Sequence, residues 1–233
     1  MTTLPAAQRR IFPARAVLLD LDGTLLDTVA DLAVAVDAML VELGRTPVGE
    51  RAVRTWVGKG ARVLVRRALA GSLDAPFDDA GVDAAMPVFE RHYARENGVS
   101  ARLYPKVVEG LEAMRAKGLA LACVTNKPQA FTEALLAQAG LADFFDAAVG
   151  ADAGIARKPD PAPLLNACQR LRVAPTQAVA IGDSMNDVQA AHAARMPVIV
   201  VPYGYNEGRP ASTLDADAHV DDLLQAASRI QML

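Results

Sequence analysis

The stretch Ala16-Val17-Leu18-Leu19-Asp20-Leu21-Asp22-Gly23-Thr24 decides the fold. Four apolar residues in succession, Ala16 to Leu19, have the length and character of a buried strand. The run stops on two aspartates at i and i+2. Gly23 then lets the backbone turn, so that both carboxylates can be aimed at one point above a sheet. Sheets that alternate with helices bind their ligands at such a place, outside the carboxyl ends of the strands. A calcium loop is excluded, because its sixth position counted from Asp20 is Leu25, where an EF-hand turn requires glycine.

Outward from this strand, further apolar runs at 119–124, 178–181 and 197–201, with a weaker one at 147–150, alternate with helical patterns. That alternation predicts an α/β fold: a doubly wound, Rossmann-like parallel sheet with helices on both faces. The helices start on recognisable signals, Pro128 in the first turn of 129–139 and Asp183 or Ser184 before 185–194. Residues 28–100 break the alternation. Val29, Leu32, Val36, Met39, Leu40 and Leu43 recur at three and four residues, and amphipathic stretches follow at 61–69 and 82–93. The expected organisation is therefore an α/β core from 1–27 and 101–233, split by an inserted helical-bundle cap at 28–100.

Composition narrows the function classes. The 233 residues are 52% hydrophobic and 22% charged, an ordinary globular balance, and the net charge of −3 gives no general attraction to nucleic acid or anionic membrane. No apolar run approaches the roughly 18 residues of a membrane span. Residues 1–15 carry Arg9, Arg10 and Arg15 without an acid or an apolar signal core, and read as a short disordered arm. Cys123 and Cys168 form neither a disulfide framework nor a ligand pair, which suits a reducing cytoplasm. The expected assembly is a monomer or homodimer.

Two more strand ends carry polar groups suited to phosphate. Thr125 and Asn126 follow the run 119–124, and Gly182-Asp183-Ser184-Met185-Asn186-Asp187 follows 178–181. Taken singly, each also reads as a helix cap. Lys158 precedes Pro159, which restricts its backbone to extended conformations, although an isolated loop lysine is by default solvated. The Gly-x-Ser-x-Asn order at 182–186 lacks the last glycine of a nucleophile elbow, and Gly58-Lys59-Gly60 is neither a phosphate loop nor a dinucleotide fingerprint. Convergence decides between the readings: Asp20, Asp22, Thr125, Lys158 and Asp183 all fall at carboxyl ends of strands in one sheet. Close carboxylates repel by roughly 4 kcal/mol at 4 Å and an effective dielectric of 20, so such a cluster needs cations. Oxygen donors without thiol or imidazole favour Mg²⁺ over zinc.

These residues resemble the haloacid dehalogenase superfamily, whose four motifs occur in order at Asp20 to Thr24, Thr125-Asn126, Lys158, and Gly182-Asp183 with Asp187. Within it, Trp56-Val57-Gly58-Lys59-Gly60, Thr125-Asn126-Lys127-Pro128, Lys158-Pro159-Asp160-Pro161 and Tyr203-Gly204-Tyr205-Asn206 are similar to the bacterial phosphoglycolate phosphatases. The resemblance implies that Asp20 is a nucleophile forming an aspartyl-phosphate and that Asp22 is a general acid and base. It further implies that Asp20, the backbone carbonyl of Asp22, and Asp183 hold Mg²⁺, with Asp187 bracing them, while Thr125, Asn126 and Lys158 bind the phosphoryl oxygens. Lys59 is the candidate for selecting a substrate carboxylate.

A small phosphorylated molecule is then the expected partner. The alternatives are a sugar-phosphate phosphatase, including one for N-acetylmuramic acid 6-phosphate, and a mutase of the β-phosphoglucomutase type. A phosphoacceptor switch of the receiver type belongs to a different class. It predicts one small domain and gives no role to Asp22 or to the insert.

Overall fold

A computed structural model describes residues 10–152 and 156–233. Within them, β1 (Phe12–Ala14), β2 (Ala16–Leu19) and β3 (Leu26–Asp27) lead to four consecutive helices, α1 (Val29–Glu42), α2 (Gly49–Trp56), α3 (Ala61–Ala70) and α4 (Asp79–Glu96). The chain returns through β4 (Arg102–Leu103) and α5 (Val107–Ala116) to β5 (Ala120–Pro128), α6 (Gln129–Gln138), β6 (Ala147–Ala151) and α7 (Ala162–Leu171). It ends with β7 (Ala178–Gly182), α8 (Met185–Ala193), β8 (Val198–Val200), β9 (Ala218–His219), α9 (Leu223–Ser228) and β10 (Ile230–Met232).

Six strands form one parallel sheet in the order β6-β5-β2-β7-β8-β9. All four residues of β2 are buried, as a central strand with both faces covered demands. Its alternate side chains serve opposite cores: Val17 and Leu19 pack with Leu111, Met114 and Leu121 on one face, Ala16 and Leu18 with Leu164, Ala167 and Val188 on the other. Strand order reverses at β2, with β5 on one side and β7 on the other, so the crevice above its carboxyl end is where a ligand is expected.

The helices from Val29 to Glu96 bury a core of their own around Val36, Met39, Trp56, Leu64, Val65 and Phe89. At the entry and exit of this segment, β3 and β4 pair antiparallel, Leu26 with Leu103 and Asp27 with Arg102, which ties the two crossings together. The segment has four helices where periodicity predicts three. The unexpected α2 buries only Val53 and Trp56, too few to show a period.

Other boundaries differ in informative ways. The run at 119–124 continues as strand through Pro128, because pairing with β6 resumes past an irregularity at Pro128 and Ala151. Thr125, Asn126 and Lys127 therefore belong to the strand, and Pro128 precedes the helix. The disordered arm expected at the N-terminus is a strand from Phe12 to Ala14, paired in parallel with Ile230 to Met232. The rest of that expectation, residues 1–9, lies outside the described residues.

Candidate active site

The turn after β2 builds the site from the sheet upward. The carbonyl oxygen of Leu21 accepts hydrogen bonds from the N–H groups of Thr24, Leu25 and Leu26, which closes the loop tightly on itself. Gly23 sits at φ +94°, in the left-handed region, and a Cβ there would collide with the Asp183 carboxylate. The glycine thus permits two motifs distant in sequence to touch. Thr24 Oγ1 donates to Asp183 Oδ1 at 2.7 Å, and the Tyr205 backbone N–H donates to Asp183 Oδ2 at 2.6 Å.

Asp20, Asp183 and Asp187 each bring a carboxylate oxygen to within 4.8 Å of the others. Lys158 is buried among them, its Nζ 2.6 Å from Asp187 Oδ1, 2.8 Å from Asp20 Oδ1 and donating to the Val124 carbonyl at 2.7 Å. Asn126 holds it there, with its Oδ1 accepting from Lys158 N–H and its Nδ2 donating to the Lys158 carbonyl, both at 2.8 Å. The other oxygen of Asp187 accepts from Ser184 N–H at 3.1 Å and Ser184 Oγ at 2.6 Å, fixing the start of α8.

Burial pushes the Asp20 carboxyl up to about 7, against the opposing pull of Lys158 and with Asp187 and Asp22 adding to the rise. Asp183 is likewise raised well above the carboxylate range, by burial first and then by Asp187 and Asp20. The Asp20 Oδ1 atom is buried and accepts no hydrogen bond, because Lys158 meets it outside hydrogen-bond angles. Several buried carboxylates, one with an orphaned oxygen, around a single ammonium form a set that a hard divalent cation would complete.

Asp22 turns away from this cluster. Its Oδ1 accepts from Thr28 Oγ1 at 2.7 Å, and its two oxygens accept from Lys127 Nζ at 2.9 and 3.1 Å. Both aspartates line one cavity of about 50 Å³, shared with Thr125, Asn126, Lys127 and Lys158 from the core and roofed by Leu32, Val57, Leu64, Phe89 and Tyr93 from the helical segment. The core holds the roof by two amides, Asn126 Nδ2 and Asn186 Nδ2, which donate to the Gly58 carbonyl at 3.1 and 3.2 Å.

Lys59 departs from expectation. It does not line the cavity, and its Nζ lies 2.7 Å from Glu207 Oε1, which also pairs with the buried Arg67. Both cations hold the Glu207 carboxyl below its usual range although burial opposes them. Lys59 is drawn outward because the acid it meets belongs to a core loop remote in sequence. Lys127, Thr24, Thr28, Asn186 and Tyr205 form parts of the site to which sequence reasoning gave no role. All but Thr28 stood inside the quoted motifs, and Thr28 carried no signal.

An aspartate pair after a central parallel strand, a buried lysine and an acidic cluster under a helical roof define a class. The chain belongs to the haloacid dehalogenase-like hydrolase family, whose model matches residues 14–195. Among curated relatives, it is 50% identical to a phosphoglycolate phosphatase of Nitrosospira multiformis, over 94% of this chain and 96% of that one. A phosphoglycolate phosphatase of Thiobacillus denitrificans is 47% identical over 92% of this chain and 95% of its own. The solved structure of a predicted phosphoglycolate phosphatase from Haemophilus somnus superposes with a TM-score of 0.84, at 31% identity over 96% of this chain and 99% of that one.

Proposed function

We propose that the chain is a magnesium-dependent phosphatase that hydrolyses 2-phosphoglycolate to glycolate and phosphate, with residues 28–100 serving as its cap. Asp20 attacks phosphorus as the ester oxygen departs, and that oxygen takes a proton from the carboxyl of Asp22. Asp22, now a carboxylate, removes a proton from water. The hydroxyl attacks phosphorus of the aspartyl-phosphate and releases Asp20 and inorganic phosphate. Thr125, the backbone at Asn126, and Lys158 bind the phosphoryl oxygens, where negative charge spreads in the transition state. Asp20, the Asp22 carbonyl and Asp183 would hold Mg²⁺, with Asp187 positioning Lys158 and the start of α8 beside them. Such a cation supplies charge neutralisation between a carboxylate nucleophile and an anionic phosphoryl group.

The observation that carries the substrate assignment is the likeness, over nearly the whole chain, to relatives named phosphoglycolate phosphatase. The two free cysteines, both buried, fit a cytoplasmic setting. Steady-state hydrolysis of a panel of small phosphorylated acids and sugar phosphates tests the assignment. Phosphoglycolate is expected to rank first in kcat/KM, and a place among the poorest substrates overturns it.

A further inference from the structure

We infer that Lys127 is the residue that recognises the substrate's carboxylate; this rests on the phosphoglycolate reading and extends it to the group that makes the acid preferred. Two ammonium groups line the cavity among the described residues, Lys158 and Lys127. Lys158 stands beside the nucleophile, 2.8 Å from Asp20 Oδ1 and hydrogen-bonded to Asp187 and the Val124 carbonyl, and is the lysine assigned to the phosphoryl oxygens. Lys127 gives two hydrogen bonds to Asp22 and otherwise faces the ring of Tyr93, with Nζ 5.0 Å from the centroid. A ring face holds an ammonium only weakly, so one direction stays available to a stronger acceptor.

The surroundings make that acceptor an anion. Leu32, Val57, Leu64, Phe89 and Tyr93 wall the cavity on the side of the helical segment, where a carboxylate left without a cation would be strongly disfavoured. Thr125 and Lys127 stand two residues apart on β5 and line the same cavity, so a phosphoryl group held at Thr125 has the Lys127 ammonium within the one site. Lys59, the other lysine near the roof, is occupied by Glu207 outside the cavity.

The test compares kcat/KM for phosphoglycolate with that for 2-hydroxyethyl phosphate, in which a hydroxymethyl group replaces the carboxylate, in the wild type and in Lys127→Met. The ratio of the two cancels any general effect of Lys127 on Asp22. We expect the wild type to prefer the acid and the ratio to fall about 10–100-fold in the variant, chiefly through KM for the acid. Lys127→Gln, which keeps a hydrogen bond to Asp22 but no charge, gives the same reading should the methionine variant not fold. A ratio unchanged within about 3-fold while both rates fall together overturns the inference alone. A wild type with no preference for the acid overturns the phosphoglycolate reading and the inference with it.

Discussion

Lys158 shows how much one residue can carry in a site of this density. Its ammonium remains charged although burial opposes the charge, because Asp187 and Asp20 raise its proton affinity further. Its loss would leave buried carboxylates without a counter-charge, and Lys158→Met should destabilise the protein by about 3–5 kcal/mol. Chemical denaturation checks this, and a loss below about 1 kcal/mol would mean that water reaches the cluster freely. At this scale the sequence was partly legible. Asp20, Asp22, Thr125 and Asp183 come together in the structure because each follows an apolar run of the sheet, and Lys158 reaches the same place from the loop before α7. Lys59 and Lys127 were not separable in the same way. What distinguishes them is Glu207 for one, and Asp22 with Tyr93 for the other, and none of these partners is near in sequence.

Among the elements, the loop after β8 links the carboxylates to the helical segment. Gly204 packs against Asp183 so closely that a Cβ would overlap the carboxylate, and the next residue donates its N–H to it. The Tyr205 hydroxyl donates to Asp27 and accepts from the N–H groups of Thr28 and Val29 at 2.8 and 3.1 Å, at the start of α1. Glu207 on the same loop meets Arg67 and Lys59. Gly204→Ala should displace Asp183 and raise the Mg²⁺ concentration for half-maximal activity by about 10–100-fold. A metal titration of activity measures it, and an unchanged requirement would remove Asp183 from the metal site. Strands β2 and β7 were legible from their unbroken apolar runs. The linking loop was not, because it has no periodicity, and α2 was not, because two buried residues define no face.

For the whole molecule, folding gathers acids that repel one another, and pH and metal should therefore act on stability together. Asp20 is pushed up to about 7 by burial, and Asp183 moves in the same direction. An acid with a folded pKa above its unfolded value holds its proton more tightly when folded. Its burial therefore lowers stability progressively as pH rises from the ordinary carboxylate range through about 7. Mg²⁺ competes with those protons, so its increase in Tm should be larger at about pH 8 than at about pH 5, by thermal unfolding with and without the metal. Equal shifts would mean that these carboxylates do not bind it. The parallel sheet alternating with helices was legible at this scale from the apolar runs, as was the unbroken helical stretch that the structure shows from Val29 to Glu96. The closeness of roof to core was not, since Gly58 meets Asn126 and Asn186 only in three dimensions. The most direct test is a rapid acid quench of the enzyme turning over ³²P-labelled phosphoglycolate with Mg²⁺. The account predicts a protein-bound, hydroxylamine-sensitive label on the peptide holding Asp20, and none in Asp20→Asn, whose turnover should fall about 1000-fold or more. Label on another residue, or an Asp20→Asn variant as active as the wild type, would contradict it.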